Sequence, residues 1–225
     1  DLRTLMIRNN LKGEFLVFLQ FGREKYIKPV LDYLQEKFPE IISLQYAVNT
    51  KGNDSIYDLD VQLHSGKNYI IEEIDSFKFK IGVKTFFQTN TLQAKKLYTA
   101  IKDLASISKN SLVYDLYTGI GSIAQFVANS AKRVVGIDSV KEAIASAKEN
   151  CRLNKISNCD FFIGDLRNVL SKDFFNKNGI PDILITDPPR DGMHPEVIYN
   201  ILKVLPKKII YVSCNSATQS RDLSL

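Results

Sequence analysis

One cysteine near the end of the chain lies in a setting that suits a reactive thiol. Cys214 follows an apolar run, residues 208–212, that is typical of a buried strand, and polar residues flank it. Ligands of open α/β sheets bind at the carboxyl ends of the strands, so a thiol there is a candidate nucleophile. Asp187 belongs to the Asp-Pro-Pro-Arg run of residues 187–190, which we predict to lie beside it. The alternative is a buried structural cysteine, because free cysteine is among the most buried residue types.

A second group of residues has the pattern of a nucleotide-cofactor loop. Gly119 and Gly121 lie between a predicted strand and a helix, where the missing side chains let a ligand approach the backbone closely. Asp138 ends the next predicted strand, and an acid there can accept hydrogen bonds from both ribose hydroxyls of an adenosine cofactor. The spacing does not exclude NAD, because Ala124 fills the third small position. Asp115 favours S-adenosylmethionine, because a carboxylate repels a pyrophosphate and attracts the ammonium group of a methionine.

The elements that must position these residues change character along the chain. From about residue 89, predicted helices alternate with apolar strands, which indicates βαβ units and a parallel, doubly wound, Rossmann-like sheet. Residues 1 to about 80 instead show short strands around one helix, over residues 24–38. We therefore predict the α/β class, with a small α+β domain at residues 1–80 and a cofactor-binding domain at residues 81–225.

Composition narrows the class of protein further. A chain of 225 residues with 44% hydrophobic residues can bury a substantial core, and its net charge of +5 suits an anionic partner. The three cysteines show no Cys-x-x-Cys spacing, and neither histidine has metal-ligand spacing, so we expect no disulfide framework and no metal. We interpret Cys151 and Cys159 as packing residues.

No apolar stretch is long enough to span a membrane, and we expect a cytoplasmic monomer.

Four motifs, in this order along the chain, resemble those of one enzyme family. They are Phe-Phe-Gln-Thr-Asn at 86–90, Asp-Leu-Tyr-Thr-Gly-Ile-Gly-Ser at 115–122, Thr-Asp-Pro-Pro-Arg at 186–190 and Tyr-Val-Ser-Cys-Asn at 211–215. Together they resemble the RNA uracil-C5 methyltransferases, which make 5-methyluridine in 23S rRNA and tRNA. The resemblance implies a methyltransferase domain that uses S-adenosylmethionine. It also implies RNA as the partner, with 23S rRNA as the expected substrate.

The resemblance assigns roles to particular residues. The family often has Asn where this chain has Ser122, and Glu where it has Asp138, so both side chains here reach less far. The positions that contact the cofactor in that family are here Gln88, Tyr117, Ser122, Asp138, Asp165 and Asp187. The loop pattern adds Asp115, Gly119 and Gly121 to the predicted cofactor site.

The chemistry implied by the resemblance begins with the thiolate of Cys214. Its attack on C6 of uracil would make C5 nucleophilic enough to take a methyl group. A free thiol has a pKa of about 8.5 and is only slightly ionised near neutrality, so Arg190 is a candidate for the positive charge that assists it. Asp187 could hold the uracil edge or the methionine end of the cofactor. Arg190 and Asn215 form the predicted substrate-binding pair.

We expect the chain to be a piece of a longer protein. It ends within a helical pattern, before the glutamate that removes the C5 proton in the family and before two further strands of such a sheet. The family's N-terminal RNA-binding barrel and its iron–sulfur cysteines, where present, are also absent from this sequence. The prediction is a chain that could form the covalent adduct but would release product poorly.

Two other functions remain open at this point. The Asp-Pro-Pro pattern also marks amino methyltransferases that act on adenine or guanine, although Arg190 stands where those enzymes usually have an aromatic residue. The second alternative is a non-catalytic module that binds RNA or the cofactor.

Overall fold

A computed structural model describes residues 1–225, which divide into two compact units, residues 1–91 and 92–225. The sequence placed a boundary after residue 80. The segment that follows belongs to the first unit because its side chains are held there. The Thr91 hydroxyl donates a 2.7 Å hydrogen bond to the buried Glu72 carboxylate, and the ring of Phe87 packs 5.7 Å from that of Phe79.

The first unit combines a four-stranded sheet, one helix and a separate hairpin. In chain order its elements are β1 (Leu2–Asn9), β2 (Phe15–Phe21), α1 (Ile27–Lys37), β3 (Ile41–Val48), β4 (Gln62–Gly66), β5 (Ile70–Ile74) and β6 (Phe77–Ile81). The sheet order is β1-β2-β3-β4, with β2 and β3 parallel and the outer pairs antiparallel, while β5 and β6 pair only with each other. The predicted helix is confirmed, and β1 and β2 form a hairpin.

Local chemistry explains both of these elements. The Asn10 side-chain oxygen accepts hydrogen bonds from the backbone N–H groups of Lys12 and Glu14, each at 3.0 Å, which closes the turn between β1 and β2. Helix α1 is the connection that a parallel pair such as β2 and β3 requires. Its buried residue Leu31 joins the core on one face of the sheet with Val17, Leu19, Phe21 and Leu44.

The second unit alternates helices with strands. In chain order its elements are α2 (Thr91–Ala105), β7 (Leu112–Leu116), α3 (Ser122–Ala128), β8 (Arg133–Asp138), α4 (Lys141–Leu153), β9 (Cys159–Ile163), α5 (Leu166–Val169), α6 (Lys172–Asn178), β10 (Ile183–Thr186), α7 (Pro195–Val204), β11 (Lys208–Tyr211) and α8 (Ser216–Leu223). None of the helices in the chain combines the length and apolar character that a membrane crossing requires.

The sheet of the second unit confirms the predicted parallel α/β fold. Its order is β11-β10-β7-β8-β9, and every neighbouring pair is parallel. The chain moves outward from β7 to β9 and then crosses to the other side of β7 to form β10. The topological switch point therefore lies between β7 and β10, and open α/β sheets bind ligands outside the carboxyl ends of the strands at this point.

The core explains why the central strands are continuous apolar runs. Helices cover the sheet, so β10 is buried at every residue and β8 is buried along its middle. One cluster joins the strands β7, β8 and β10 to the helices that follow β9 and β10, and it consists of Tyr114, Leu116, Val135, Ile137, Leu166, Leu170, Phe175, Leu184, Met193, Val197, Ile198 and Ile201.

Candidate cofactor site and nucleophile

The loop after β7 is shaped by left-handed backbone at Tyr117, Gly119 and Gly121, with φ of 58°, 55° and 75°. A Cβ on Gly121 would lie 2.9 Å from the Phe161 ring and 3.1 Å from Ala147 Cβ, so only glycine fits there. A Cβ on Gly119 would meet nothing within 4 Å. The loop therefore packs tightly at its second glycine and leaves open space beside its first.

Asp115 supports this loop from inside the protein. Its side chain is 1% exposed, and its Oδ2 accepts hydrogen bonds from the Thr118 hydroxyl at 2.6 Å and the Ala124 N–H at 3.1 Å. Its Oδ1 is buried without a hydrogen-bond partner in the protein. Burial, with a contribution from the charge of Asp187, raises the pKa of Asp115 to about 7. One carboxyl oxygen thus braces the loop, and the other could accept a donor from a ligand.

Asp138 ends β8 on the far side of the same loop. Its Oδ2 accepts a hydrogen bond from the Gly119 N–H and its Oδ1 accepts one from the Val140 N–H, both at 2.9 Å. Each carboxylate oxygen keeps further accepting capacity. The carboxylate is therefore held in place by the loop and can still receive hydroxyl donors, as a ribose-binding acid must.

A cavity of about 170 Å³ adjoins this carboxylate. Three of the predicted cofactor residues, Tyr117, Asp138 and Asp165, line it together. The sequence analysis did not predict the other residues of its lining, which are Ser139, Gly164, Leu166, Arg167, His194 and Val197.

Asp165 is held by the residue two positions after it, Arg167. It begins α5 as its N-cap, and its Oδ1 accepts a 2.9 Å hydrogen bond from the Arg167 N–H. The Arg167 guanidinium also pairs with it, and hydrogen bonds from Arg167 lower the pKa of Asp165 to about 2. His194 is the N-cap of α7, directly before Pro195. Both N-caps could be predicted from the sequence, because Asp is a favoured N-cap residue and because proline is favoured directly after an N-cap.

Other predicted cofactor residues have different surroundings. The Ser122 hydroxyl lies 2.9 Å from the hydroxyl of Tyr98, a buried residue whose pKa burial raises to about 12. Ser122 therefore bonds to α2 and does not line the cavity. Gln88 belongs to the first unit and is half-buried there, so its contact with the cofactor remains a prediction.

Asp187 follows β10 at the switch point. Parallel pairing sets Ile185 opposite Asp115 and Thr186 opposite Leu116, so Asp187 emerges beside the end of β7. Burial raises the pKa of Asp187, and its charge in turn raises the pKa of Asp115. These two carboxyl groups therefore share one partly desolvated region at the carboxyl edge of the sheet.

Cys214 lies past the end of β11 and is exposed, so the alternative of a buried structural cysteine is wrong. The Val212 N–H donates to the Thr186 carbonyl at 2.8 Å, which continues the pairing of β11 with β10 up to this turn. The turn is closed by Ser213, whose hydroxyl accepts from the Asn215 N–H at 2.9 Å. The thiol is thus presented to solvent at the same sheet edge as Asp187.

Asn215 links the cysteine turn to the Asp-Pro-Pro-Arg loop. Its side-chain oxygen caps α8 by accepting from the Ala217 N–H at 3.1 Å, and its amide donates to the Arg190 carbonyl at 3.1 Å. The Thr218 hydroxyl donates to the same carbonyl, also at 3.1 Å. The structure therefore brings the two loops together, and it uses the backbone of Arg190 to do so.

Asp222 extends this link and was missed by sequence reasoning. Its side chain is fully buried and accepts hydrogen bonds from the Met193 N–H at 2.7 Å, the Tyr211 hydroxyl at 2.6 Å and the Arg221 guanidinium at 2.6 Å. A Cβ on Gly192 would lie 2.6 Å from both the Arg221 and Asp222 side chains. Helix α8 therefore holds the Asp-Pro-Pro-Arg loop and the end of β11 in one arrangement.

Comparisons with known proteins identify relatives of this chain. A family model described as tRNA (uracil-5-)-methyltransferase matches residues 61–225. Proteins named uncharacterized RNA methyltransferase from Porphyromonas gingivalis and Bacteroides thetaiotaomicron are 50% and 46% identical over the whole of this chain. The match covers 49% and 50% of their lengths, so the chain spans about half of these relatives.

Solved structures show the same likeness. The tRNA (uracil-54, C5)-methyltransferase of Pyrococcus abyssi, solved with S-adenosyl-L-homocysteine, superposes with a TM-score of 0.82 at 29% identity, over 99% of this chain and 53% of that one. The tRNA m1G37 methyltransferase of M. jannaschii shares the fold, with a TM-score of 0.60 at 15% identity over 97% of this chain and 65% of that one. On the family match, this chain belongs to the tRNA (uracil-5-)-methyltransferase family.

Proposed function

We propose that the protein containing this chain methylates C5 of uridine in RNA, with Cys214 as the nucleophile. The observation that carries the proposal is the arrangement of β10 and β11. An exposed thiol and a partly buried carboxyl group follow adjacent parallel strands, and Asn215 ties the thiol's turn to the loop of Asp187. The Pyrococcus abyssi protein with the same fold is named as a tRNA (uracil-54, C5)-methyltransferase.

S-adenosylmethionine is the proposed cofactor, and the residues present suit it. The Asp138 carboxylate is positioned for ribose hydroxyls, the unpartnered Asp115 Oδ1 can accept from an ammonium group, and the open space beside Gly119 admits a ligand. Tyr117 and Asp165 would hold the adenine end in the cavity. When bound, this cofactor supplies an electrophilic methyl group.

The protein's own residues would do the remaining chemistry. The Cys214 thiolate adds to C6 of uracil, and the electron pair displaced from the C5–C6 double bond makes C5 nucleophilic. Once C5 carries its methyl group, loss of the C5 proton to a base restores the double bond and expels the thiolate. Asp187, whose pKa is raised by burial, can be protonated and donate to a uracil carbonyl or, ionised, accept from a uracil N–H. Arg190, next to Pro189, is the proposed charge that favours the thiolate.

The target uridine must reach a thiol at the edge of the sheet, where C6 is approached from the ring face. We propose that it is flipped out of its base stack, as other base-modifying enzymes require. The expected RNA is 23S rRNA, whereas the Pyrococcus abyssi relative is named as an enzyme that acts on tRNA. Mapping 5-methyluridine in both RNA classes from cells that lack the gene identifies the substrate by the class that loses the modification.

A covalent trapping experiment tests the mechanism. Full-length protein is incubated with S-adenosylmethionine and RNA containing 5-fluorouridine, whose C5 fluorine prevents the final elimination. Wild-type protein should form a denaturation-resistant complex, and Cys214→Ala should form none. Survival of the complex in Cys214→Ala rejects this nucleophile.

The same variant separates the alternatives. Methylation of adenine or guanine by Cys214→Ala would indicate an amino methyltransferase, which needs no thiol. Binding of RNA or cofactor by the wild type without any methyl transfer would indicate a binding module.

A further inference from the structure

The cavity of the candidate cofactor site is bounded by the first residues of two helices. Asp165 is the N-cap of α5, His194 is the N-cap of α7, and both line the cavity. The two helices are joined where the side-chain amide of Asn200 in α7 donates a 3.3 Å hydrogen bond to the Arg167 carbonyl in α5. Val197 of α7 is buried and belongs to the core of the second unit. Packing therefore holds both helix starts beside the same cavity.

The hydrogen bond that His194 makes as an N-cap fixes the position of its ring proton. Its Nδ1 accepts a 3.2 Å hydrogen bond from the Glu196 N–H, so this nitrogen carries no proton. The proton of the neutral ring then lies on Nε2, which becomes a donor. The structure pairs that N–H with no group of the protein, and half of the His194 side chain is exposed. His194 therefore offers an unused hydrogen-bond donor to a ligand in the cavity.

Asp165 offers the opposite kind of group to the same cavity. Three N–H groups of Arg167, one from its backbone and two from its guanidinium, donate to the Asp165 carboxylate. A carboxylate has about four lone-pair sites, so at least one remains for a ligand donor. The hydrogen bonds from Arg167 lower the pKa of Asp165 to about 2, and His194 contributes in the same direction. Asp165 is therefore ionised near neutrality and acts only as an acceptor.

Adenine carries the groups that complement this acceptor and this donor. Its N6 amino group donates, and the ring nitrogens on either side of that group, N1 and N7, accept. Leu166 and Val197 also line the cavity and add apolar surface for a flat ring.

We propose that His194 is a specificity-determining residue of the cofactor site. Its Nε2–H donates to N1 or N7 of the cofactor's adenine, while Asp165 accepts from N6. The proposal rests on S-adenosylmethionine as the cofactor, and it assigns to His194 a role that the sequence motifs did not indicate.

Calorimetric titration of the full-length protein with S-adenosyl-L-homocysteine and its deaza analogues tests the proposal. The 1-deaza and 7-deaza analogues each replace one of the two acceptor nitrogens with a C–H group, whereas the 3-deaza analogue keeps both. Wild-type protein should bind either the 1-deaza or the 7-deaza analogue about fivefold more weakly than the parent compound, the effect of one hydrogen bond. The weaker analogue identifies the nitrogen. Equal affinity for both of these analogues and the parent compound overturns the proposal.

The variant His194→Ser assigns that hydrogen bond to the histidine. Serine is a favoured N-cap and can still accept from the Glu196 N–H, but it lacks the distant ring donor. This variant should bind S-adenosyl-L-homocysteine about fivefold more weakly than the wild type and no longer discriminate against the weaker analogue. Discrimination as strong as in the wild type overturns the proposal, because another group would then be the donor.

Two further measurements separate this proposal from its premise and from a purely structural effect. His64→Ser, a change in the other histidine of the chain, lies in the first unit and should bind every compound as the wild type does. Weaker binding in both histidine variants alike would overturn the specific role of His194. Wild-type protein that binds no S-adenosyl-L-homocysteine would reject the proposed cofactor and this proposal together. Normal binding by His194→Ser would reject this proposal alone.

Discussion

The side-chain amide of Asn215 lies 3.1 Å from the carbonyl oxygen of Arg190 and donates a hydrogen bond to it. This contact joins the turn that carries Cys214 to the loop that begins with Asp187. The same side chain caps α8 through its oxygen, so one residue both starts a helix and fixes the spacing of two loops. The position of the candidate nucleophile therefore depends on the contacts of its neighbour Asn215.

Replacing Asn215 with Asp should separate these two roles. A carboxylate can still accept from the Ala217 N–H, but it cannot donate to the Arg190 carbonyl. We expect unfolding stability to change by less than about 1 kcal/mol, while covalent complex formation with 5-fluorouridine RNA slows about fivefold, the effect of one hydrogen bond. Asn215→Ala should also lose about 1 kcal/mol from the missing cap. Wild-type trapping rates in Asn215→Asp would show that the contact with Arg190 does not position the thiol.

Asp222 should matter for stability despite lying outside the candidate site. Asp222→Ala would leave the Met193 N–H and the Tyr211 hydroxyl without their acceptor, and Arg221 would keep only its backbone carbonyl partners. We expect a loss of about 2–3 kcal/mol in urea unfolding of the full-length protein. The matched control is Ser220→Ala on the exposed face of α8, which should change stability by less than about 0.5 kcal/mol. Equal effects of the two substitutions would contradict the role of Asp222.

The two glycines of the loop after β7 should respond differently to alanine. Both have positive φ, which costs an alanine about 1–2 kcal/mol. Gly121→Ala should lose about 1–3 kcal/mol more, because its Cβ would collide with Phe161 and Ala147. The Cβ of Gly119→Ala would meet no neighbour. This variant should therefore lose more affinity for S-adenosyl-L-homocysteine, measured by calorimetry, than it loses stability. Equal stabilities for the two variants would contradict this packing.

Asp115 should make stability depend on pH in a defined direction. Its pKa is about 7 in the folded protein against an ordinary value of 3.8, so between these values the folded state holds a proton that the unfolded state releases. Wild-type stability should therefore fall relative to Asp115→Asn as pH rises from about 4 to about 7, by at most about 1.4 kcal/mol per pH unit. Above pH 7 the difference should be constant. Thermal unfolding of both proteins across this range checks the slope, and a pH-independent difference rejects the raised pKa.

The amino-acid pattern was sufficient for the elements whose causes are local. Alternation of apolar strands with helices identified the parallel sheet, because buried strands and amphipathic helices have different hydrophobic periods. The glycines after β7 and the acid at the end of β8 could be predicted as cofactor residues, because a tight turn and a strand end are determined by neighbouring residues in the sequence. Tyr117 and Asp165 were named by resemblance, and Asp138 was named also from its position at a strand end; the structure places all three around one cavity.

Only the tertiary structure decided which distant residues meet. Asp222 accepts a hydrogen bond from the N–H of Met193, 29 residues earlier in the chain, and the hydroxyls of Tyr98 and Ser122 pair across 24 residues. No rule of sequence spacing predicts either contact. The physical reason is that hydrophobic periodicity specifies which face of each element is buried, whereas side-chain partners depend on strand order and register, which are fixed when the elements pack.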